Sequence, residues 1–241
     1  MASLQLLVFL AAVLYLSSGQ DPSWSSLSTE DPEVQREIVD KHNALRRQAS
    51  PPASNMLRME WSHEAAQNAE AWANQCHLQH SAPEDRQTDI HCGENLYMSG
   101  HPDSWSQAIQ HWYDEVHDFV HGEGKKFEDA VVGHYTQVVW YKSHQVGCAV
   151  AYCPNEHDFK YFYVCQYCPA GNEHSSINEP YLKGTPCDSC EDACDNGLCT
   201  NPCKHVNKWA NCEDLKNSVT CDHPIVQSDC EASCKCTTEI K

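Results

Sequence analysis

The chain has 241 residues, with 16 Lys and Arg against 34 Asp and Glu, a formal net charge of −18. Such an acidic surface argues against nucleic acid and anionic membranes as partners. No N-x-S/T sequon is present, so N-glycosylation is not expected.

The first element is "LQLLVFLAAVLYL", apolar apart from Gln5 and followed by "SSG" at 17–19. It predicts a secretory signal peptide over residues 1–19, too short for a membrane span, although no Lys or Arg precedes it. No later segment is apolar enough to cross a bilayer, so a soluble, secreted protein is expected. All sixteen cysteines lie beyond residue 19. Export leads to an oxidising compartment, which predicts eight disulfides rather than zinc at "CDSC" (187–190) or "CQYC" (165–168).

Residues 20–186 hold six cysteines and can bury a core; residues 187–241 hold ten and need covalent staples. The boundary falls in "NEPYLKGTP" (178–186), rich in turn formers. In the first part, residues 32–48 place Val34, Ile38 and Leu45 near one helical face. Residues 62–76 are Ala-rich behind Ser62, a candidate N-cap. Residues 104–120 open with a Ser104/Gln107 capping box and repeat Ile109, Trp112, Val116 and Val120 at helical spacing. The period then switches: "HYTQVVWY", "VGCAVAYC" and "KYFYVCQYC" read as strands. Helices followed by strands predict an α+β fold, with an antiparallel sheet between helices. The tail divides into a four-cysteine knot at 187–202, read as a stiff hinge, and a six-cysteine module at 203–241. Six cysteines allow fifteen pairings, and spacing alone selects none.

"GHYTQVVW" (133–140) and "YFYVCQYCPAGN" (161–172) resemble the two signature stretches of the CAP superfamily. "CDNGLCTNPC" (194–203) and the six-cysteine tail narrow the resemblance to the cysteine-rich secretory proteins, with reptile venom members closest in flavour and mammalian sperm-associated members close behind. The likeness spans the chain beyond the signal. It implies a CAP α-β-α sandwich at 20–186, then the disulfide hinge, then a small helical module of the anemone-toxin type. It also implies the pairs Cys76–Cys153, Cys92–Cys168, Cys148–Cys165, Cys187–Cys194, Cys190–Cys199, Cys203–Cys236, Cys212–Cys230 and Cys221–Cys234.

The resemblance gathers His80, Glu94, Glu115 and His134 in one cleft. Imidazoles suit zinc or copper, and carboxylates suit water held on a metal. His80 and His134 are therefore the expected ligands of a divalent cation such as zinc, with Glu94 and Glu115 holding water or outer hydrogen bonds. A charge-satisfied structural network is the plainer alternative. His117 and His121, at i, i+4 on the predicted helix, offer a competing pair, more simply read as a solvated face. No catalysis is expected: HExxH and GxSxG are absent, and paired cysteines leave no thiol nucleophile.

The resemblance places channel modulation in the tail. Residues 187–241 carry five Lys and ten acids, a net of −5. An acidic module is not steered into a cation channel's negative mouth. Lys208 and Trp209 form the nearest Lys–aromatic pair, and Trp209, Val206, Pro224, Ile225 and Val226 are candidate contacts or, equally, the module's small core. The expected function is modulation of calcium, potassium, cyclic-nucleotide-gated or ryanodine-receptor channels by a monomer. The alternatives are a sperm-coating or gamete-binding protein, a metal-dependent protease, and a lipid or sterol carrier.

Overall fold

The computed structural model describes residues 23–241; the signal-peptide expectation lies outside them. A 3₁₀ turn at Trp24–Leu27 leads into α1 (Pro32–Arg47). Asp31 caps α1 by accepting from the Glu33 N–H, and Pro32 occupies the first turn. Then follow β1 (Glu60–Trp61), α2 (His63–Ala73), β2 (Gly93–Ser99) and α3 (Trp105–Asp114). Ser62 caps α2 through the Ala65 N–H, and Ser104 and Gln107 form a complete capping box on α3. A short hairpin, β3 (Phe119–Val120) and β4 (Gly124–Lys125), precedes α4 (Gly133–Val138), β5 (Gln145–Tyr152) and β6 (Tyr161–Cys168).

The sheet order is β1-β5-β6-β2. The β5–β6 and β6–β2 pairs are antiparallel, but β1 runs parallel to β5, so the sheet is mixed at one edge. Strand alternation sorts β6 between two layers. Tyr163, Cys165 and Tyr167 join a core with Ile38 of α1, Trp105 and Trp112 of α3 and Val138 of α4. Phe162 and Val164 face Ala69 and Trp72 of α2. The result is an α-β-α sandwich. Helix α2 lies so close to β5 that a Cβ on Gly147 would come within 2.1 Å of the Ala66 nitrogen, which only glycine accommodates.

Two predicted elements are corrected. The helix expected over 104–120 stops at Asp114. Glu115–Asp118 form a 3₁₀ turn, and Phe119 and Val120 are drawn into a hairpin whose turn uses Gly122 and Gly124 at φ +89° and +95°. The strand expected at "HYTQVVWY" is not formed: the stretch is helix α4 as far as Val138 and turn beyond it. Both ends of α4 are held by charges from other elements. The Glu115 carboxylate accepts from the His134 and Tyr135 N–H groups at the N-terminus. At the C-terminal end the Arg46 guanidinium donates to the Val138 and Trp140 carbonyls. This placement of charge matches the helix dipole and overrides the β preference of Thr136, Val138 and Val139.

Beyond residue 186, β7 (Cys194–Asp195) and β8 (Leu198–Cys199) form a hairpin. It packs on the sandwich: Leu198 enters the main core, and Cys187, Cys190 and Cys199 bury against Leu57 and Ile240. Arg58 adds an ion pair to Asp195 at 2.8 Å. Three short helices follow, α5 (Cys212–Val219), α6 (Pro224–Asp229) and α7 (Glu231–Lys235), around Cys212, Val226 and Cys230. Disulfides join Cys76–Cys153, Cys92–Cys168, Cys148–Cys165, Cys187–Cys194, Cys190–Cys199, Cys203–Cys236, Cys212–Cys230 and Cys221–Cys234. Among the described residues no helix is long and apolar enough to cross a membrane.

Candidate functional site

The four sequence-selected residues form two His–Glu pairs. His134, in the first turn of α4, places Nδ1 2.6 Å from Glu115 Oε1. The other Glu115 oxygen is occupied by the His134 and Tyr135 N–H groups at 2.9 and 3.1 Å. Glu115 therefore orients the imidazole and caps the helix that carries it.

The second pair lies at the start of β2. His80 Nδ1 is 2.9 Å from Glu94 Oε1. Glu94 is fully covered, and it also accepts from the Ser81 N–H and hydroxyl, Arg86 and Gln166. Burial pushes its carboxyl pKa up, but the hydrogen bonds from His80 and Ser81 and the charge of Arg86 outweigh it and hold the group below the usual carboxylate range. Ser81, Arg86 and Gln166 were not singled out from sequence. Only the adjacency of Ser81 to His80 in "LQHS" could have pointed to one of them.

Interior hydrogen bonds tie the two halves together. Asn95, next to Glu94, donates to the His134 carbonyl at 3.1 Å and to the Tyr167 hydroxyl at 3.5 Å. The signature stretches are joined as well. Thr136 donates to the Asn172 side chain at 2.6 Å, Asn172 donates back to the Gly133 carbonyl at 2.8 Å, and the Gly171 N–H donates to Gln137 at 3.0 Å. These contacts give the residues around His134 a structural task as well as any chemical one.

In each pair Nδ1 is spent on a carboxylate, which leaves Nε2 for a ligand. That donor chemistry fits a cation bound by imidazole and water, with the glutamates behind the histidines. Among the described residues, no group of three or more His, Cys, Asp or Glu side chains is arranged to hold a metal ion, so no closed protein cage is present. The competing pair is corrected: His117 lies in the 3₁₀ turn and His121 beyond β3, not on one helix face. His121 Nε2 is engaged with the Tyr181 carbonyl at 2.9 Å, and its ring lies 4.6 Å from that of Tyr181.

The tail candidates also separate. Val226 is core, whereas Val206, Trp209 and Ile225 are 55%, 52% and 59% exposed and Pro224 is exposed. Asp229 holds both members of the Lys–aromatic pair, Lys208 Nζ at 2.8 Å and Trp209 Nε1 at 3.2 Å. Lys208, followed by the Ser228 and Trp209 hydrogen bonds, keeps the Asp229 carboxyl below the ordinary aspartate range.

Known proteins match along the whole chain. Residues 39–167 fit the model of the CAP group, described as the cysteine-rich secretory protein family, and residues 187–241 fit the Crisp model. Human cysteine-rich secretory protein 2 is 57% identical over 236 residues, 97% of each chain. The cysteine-rich venom protein helothermine of Heloderma horridum horridum is 53% identical over 243 residues, all of each chain. A crystal structure of NaASP2 with Zn2+ is 32% identical at a TM-score of 0.58, covering 70% of this chain and 96% of that one. The chain therefore belongs to the cysteine-rich secretory protein family, with a CAP region followed by a Crisp region.

Proposed function

We propose that this protein is secreted, acts without catalysis, and modulates ion channels at cell surfaces through its stapled C-terminal module. The observation that carries the reading is the module's surface. Val206, Trp209 and Ile225 stand more than half exposed on a unit held by three disulfides, so little ordering entropy is lost on docking. The likeness to a venom protein supports it. Asp229 occupies Lys208, which favours docking on an outer vestibule or gating region over a pore-plugging lysine. The test is voltage clamp of the purified, oxidised protein on calcium, potassium and cyclic-nucleotide-gated channels. Altered current in one class is the expected result. Silence throughout at micromolar concentration overturns the reading and favours gamete-surface binding.

For the His–Glu pairs the reading assigns a divalent cation to His80 and His134 through Nε2, with Glu94 and Glu115 as outer hydrogen-bond acceptors. The family likeness to a protein crystallised with Zn2+ supports it. In zinc titrations the His80→Ala, His134→Ala double variant should bind at least about tenfold more weakly. Unchanged affinity there, with loss on His117→Ala, contradicts the assignment.

A further inference from the structure

A groove of about 630 Å³ runs between α2, β5 and the segment before α1, a size typical of small-ligand sites. It is separate from both His–Glu pairs. Trp24 and Trp61 supply aromatic surface, Gln67 and Asn74 amides, and Glu30 and Glu70 carboxylates. Among the described residues neither glutamate is held in an ion pair, and the buried Trp61 indole N–H has no acceptor.

Trp24 also belongs to a cluster of three rings. Its centroid lies 5.8 Å from Tyr161 and 6.3 Å from Tyr152, which are 5.3 Å apart. Tyr152 and Tyr161 are register partners at the end of the β5–β6 pairing. Trp24 and Tyr152 remain 44% and 46% exposed, so these rings are only partly used in packing.

An exposed aromatic face complements the C–H face of a pyranose ring, because both are apolar and flat. Amide and carboxylate groups beside it match paired sugar hydroxyls, since one set accepts where the other donates. A purely apolar ligand would strip water from the amides without replacing it. Glu30 and Glu70 disfavour anionic ligands through like charge. We propose that this groove binds a short neutral oligosaccharide, with Trp24 as the stacking platform and Glu70, Gln67 and Asn74 as hydroxyl partners. The proposal is independent of channel modulation.

The test is calorimetry on the intact secreted protein with maltotriose, triacetylchitotriose and sialyllactose. At least one neutral trisaccharide should bind saturably, and sialyllactose about tenfold more weakly. Trp24→Ala removes a half-exposed ring together with its contacts to Tyr152 and Tyr161, so unchanged thermal unfolding is the check on its fold; it should weaken neutral binding about tenfold. Glu70→Gln should narrow the gap between neutral and anionic sugars. The proposal is overturned if neither neutral trisaccharide binds at millimolar concentration, if Trp24→Ala binds as tightly as the parent, or if sialyllactose binds equally well.

Discussion

Replacing Arg46 with Met should lower the free energy of unfolding by about 4 kcal/mol, because several buried carbonyls lose a charged donor at once. Arg46 is 1% exposed, and among the described residues its partners are carbonyls and not a carboxylate. Its guanidinium donates to the carbonyls of Leu57, Val138, Trp140, Tyr141 and Ser143 at 2.7–3.2 Å. Burial pulls its pKa down to about 9, so it stays charged at neutral pH. The five carbonyls belong to the loop before β1 and to the chain leaving α4. One side chain thus fixes the C-terminal end of the helix that carries His134. Met keeps the length and the apolar stem but satisfies none of the oxygens. Denaturant unfolding measures the loss; a change under about 1 kcal/mol, the size of an ordinary single hydrogen bond, contradicts this account.

Lowering the pH from 6.5 toward 4 should destabilise the protein, with His42 supplying about 3 kcal/mol of the loss. His42 is fully buried, and burial pulls its pKa down from 6.5 to about 4, against the opposing hydrogen bond to Ile38. The tautomer follows from its partners. Nδ1–H donates to the Ile38 carbonyl at 2.8 Å, so Nε2 must accept from the Tyr167 hydroxyl at 2.9 Å. The unfolded chain takes up a proton near pH 6.5 that the folded chain refuses until about 4. The stabilisation is complete above 6.5 and is lost progressively as the pH falls through that window. Glu94 acts in the same direction lower down: its folded pKa lies below 4.5, so its contribution is present above that value and fades beneath it. In His42→Asn the slope of stability against pH between 6.5 and 4 should flatten. Equal slopes in parent and variant would rule His42 out as the titrating group.

Where local chemistry decides, the fold was readable from the residues. Ser62 and the Ser104/Gln107 pair cap the helices that they predicted, and the alternation in β6 sorts its side chains into two layers. Where distant groups decide, it was not. The α4 sequence is β-branched and aromatic, and only the tertiary placement of Glu115 and Arg46 makes it helical. Spacing put His117 and His121 on one helix face, but the hairpin after Asp118 removed them from it. Part of the missed interior was nonetheless encoded in α1. Val34, Ile38, His42 and Arg46 recur every four residues, so His42 and Arg46 extend the apolar stripe into the core. The choice of His80, Glu94, Glu115 and His134 came from family likeness, and their division into two His–Glu pairs came from the structure; four residues spread over 80–134 carry no spacing that announces their contacts. The tail shows the same limit: Val226 and Ile225 are adjacent and equally apolar, and only the helix orientation makes one core and the other surface.

Leu198 and the hinge cysteines Cys187, Cys190 and Cys199 are buried against the sandwich and Ile240, so the channel claim is best tested in the intact protein rather than in a severed tail. The decisive measurement is the dose–response of the most sensitive channel to three proteins: the parent, Trp209→Ala with Ile225→Ser, and His80→Ala with His134→Ala. The account predicts at least about a tenfold loss of potency for the tail variant, as for truncation of exposed interface anchors, and parental potency for the histidine variant. Parental potency in the tail variant, with loss in the histidine variant, would contradict it and move the function to the CAP region.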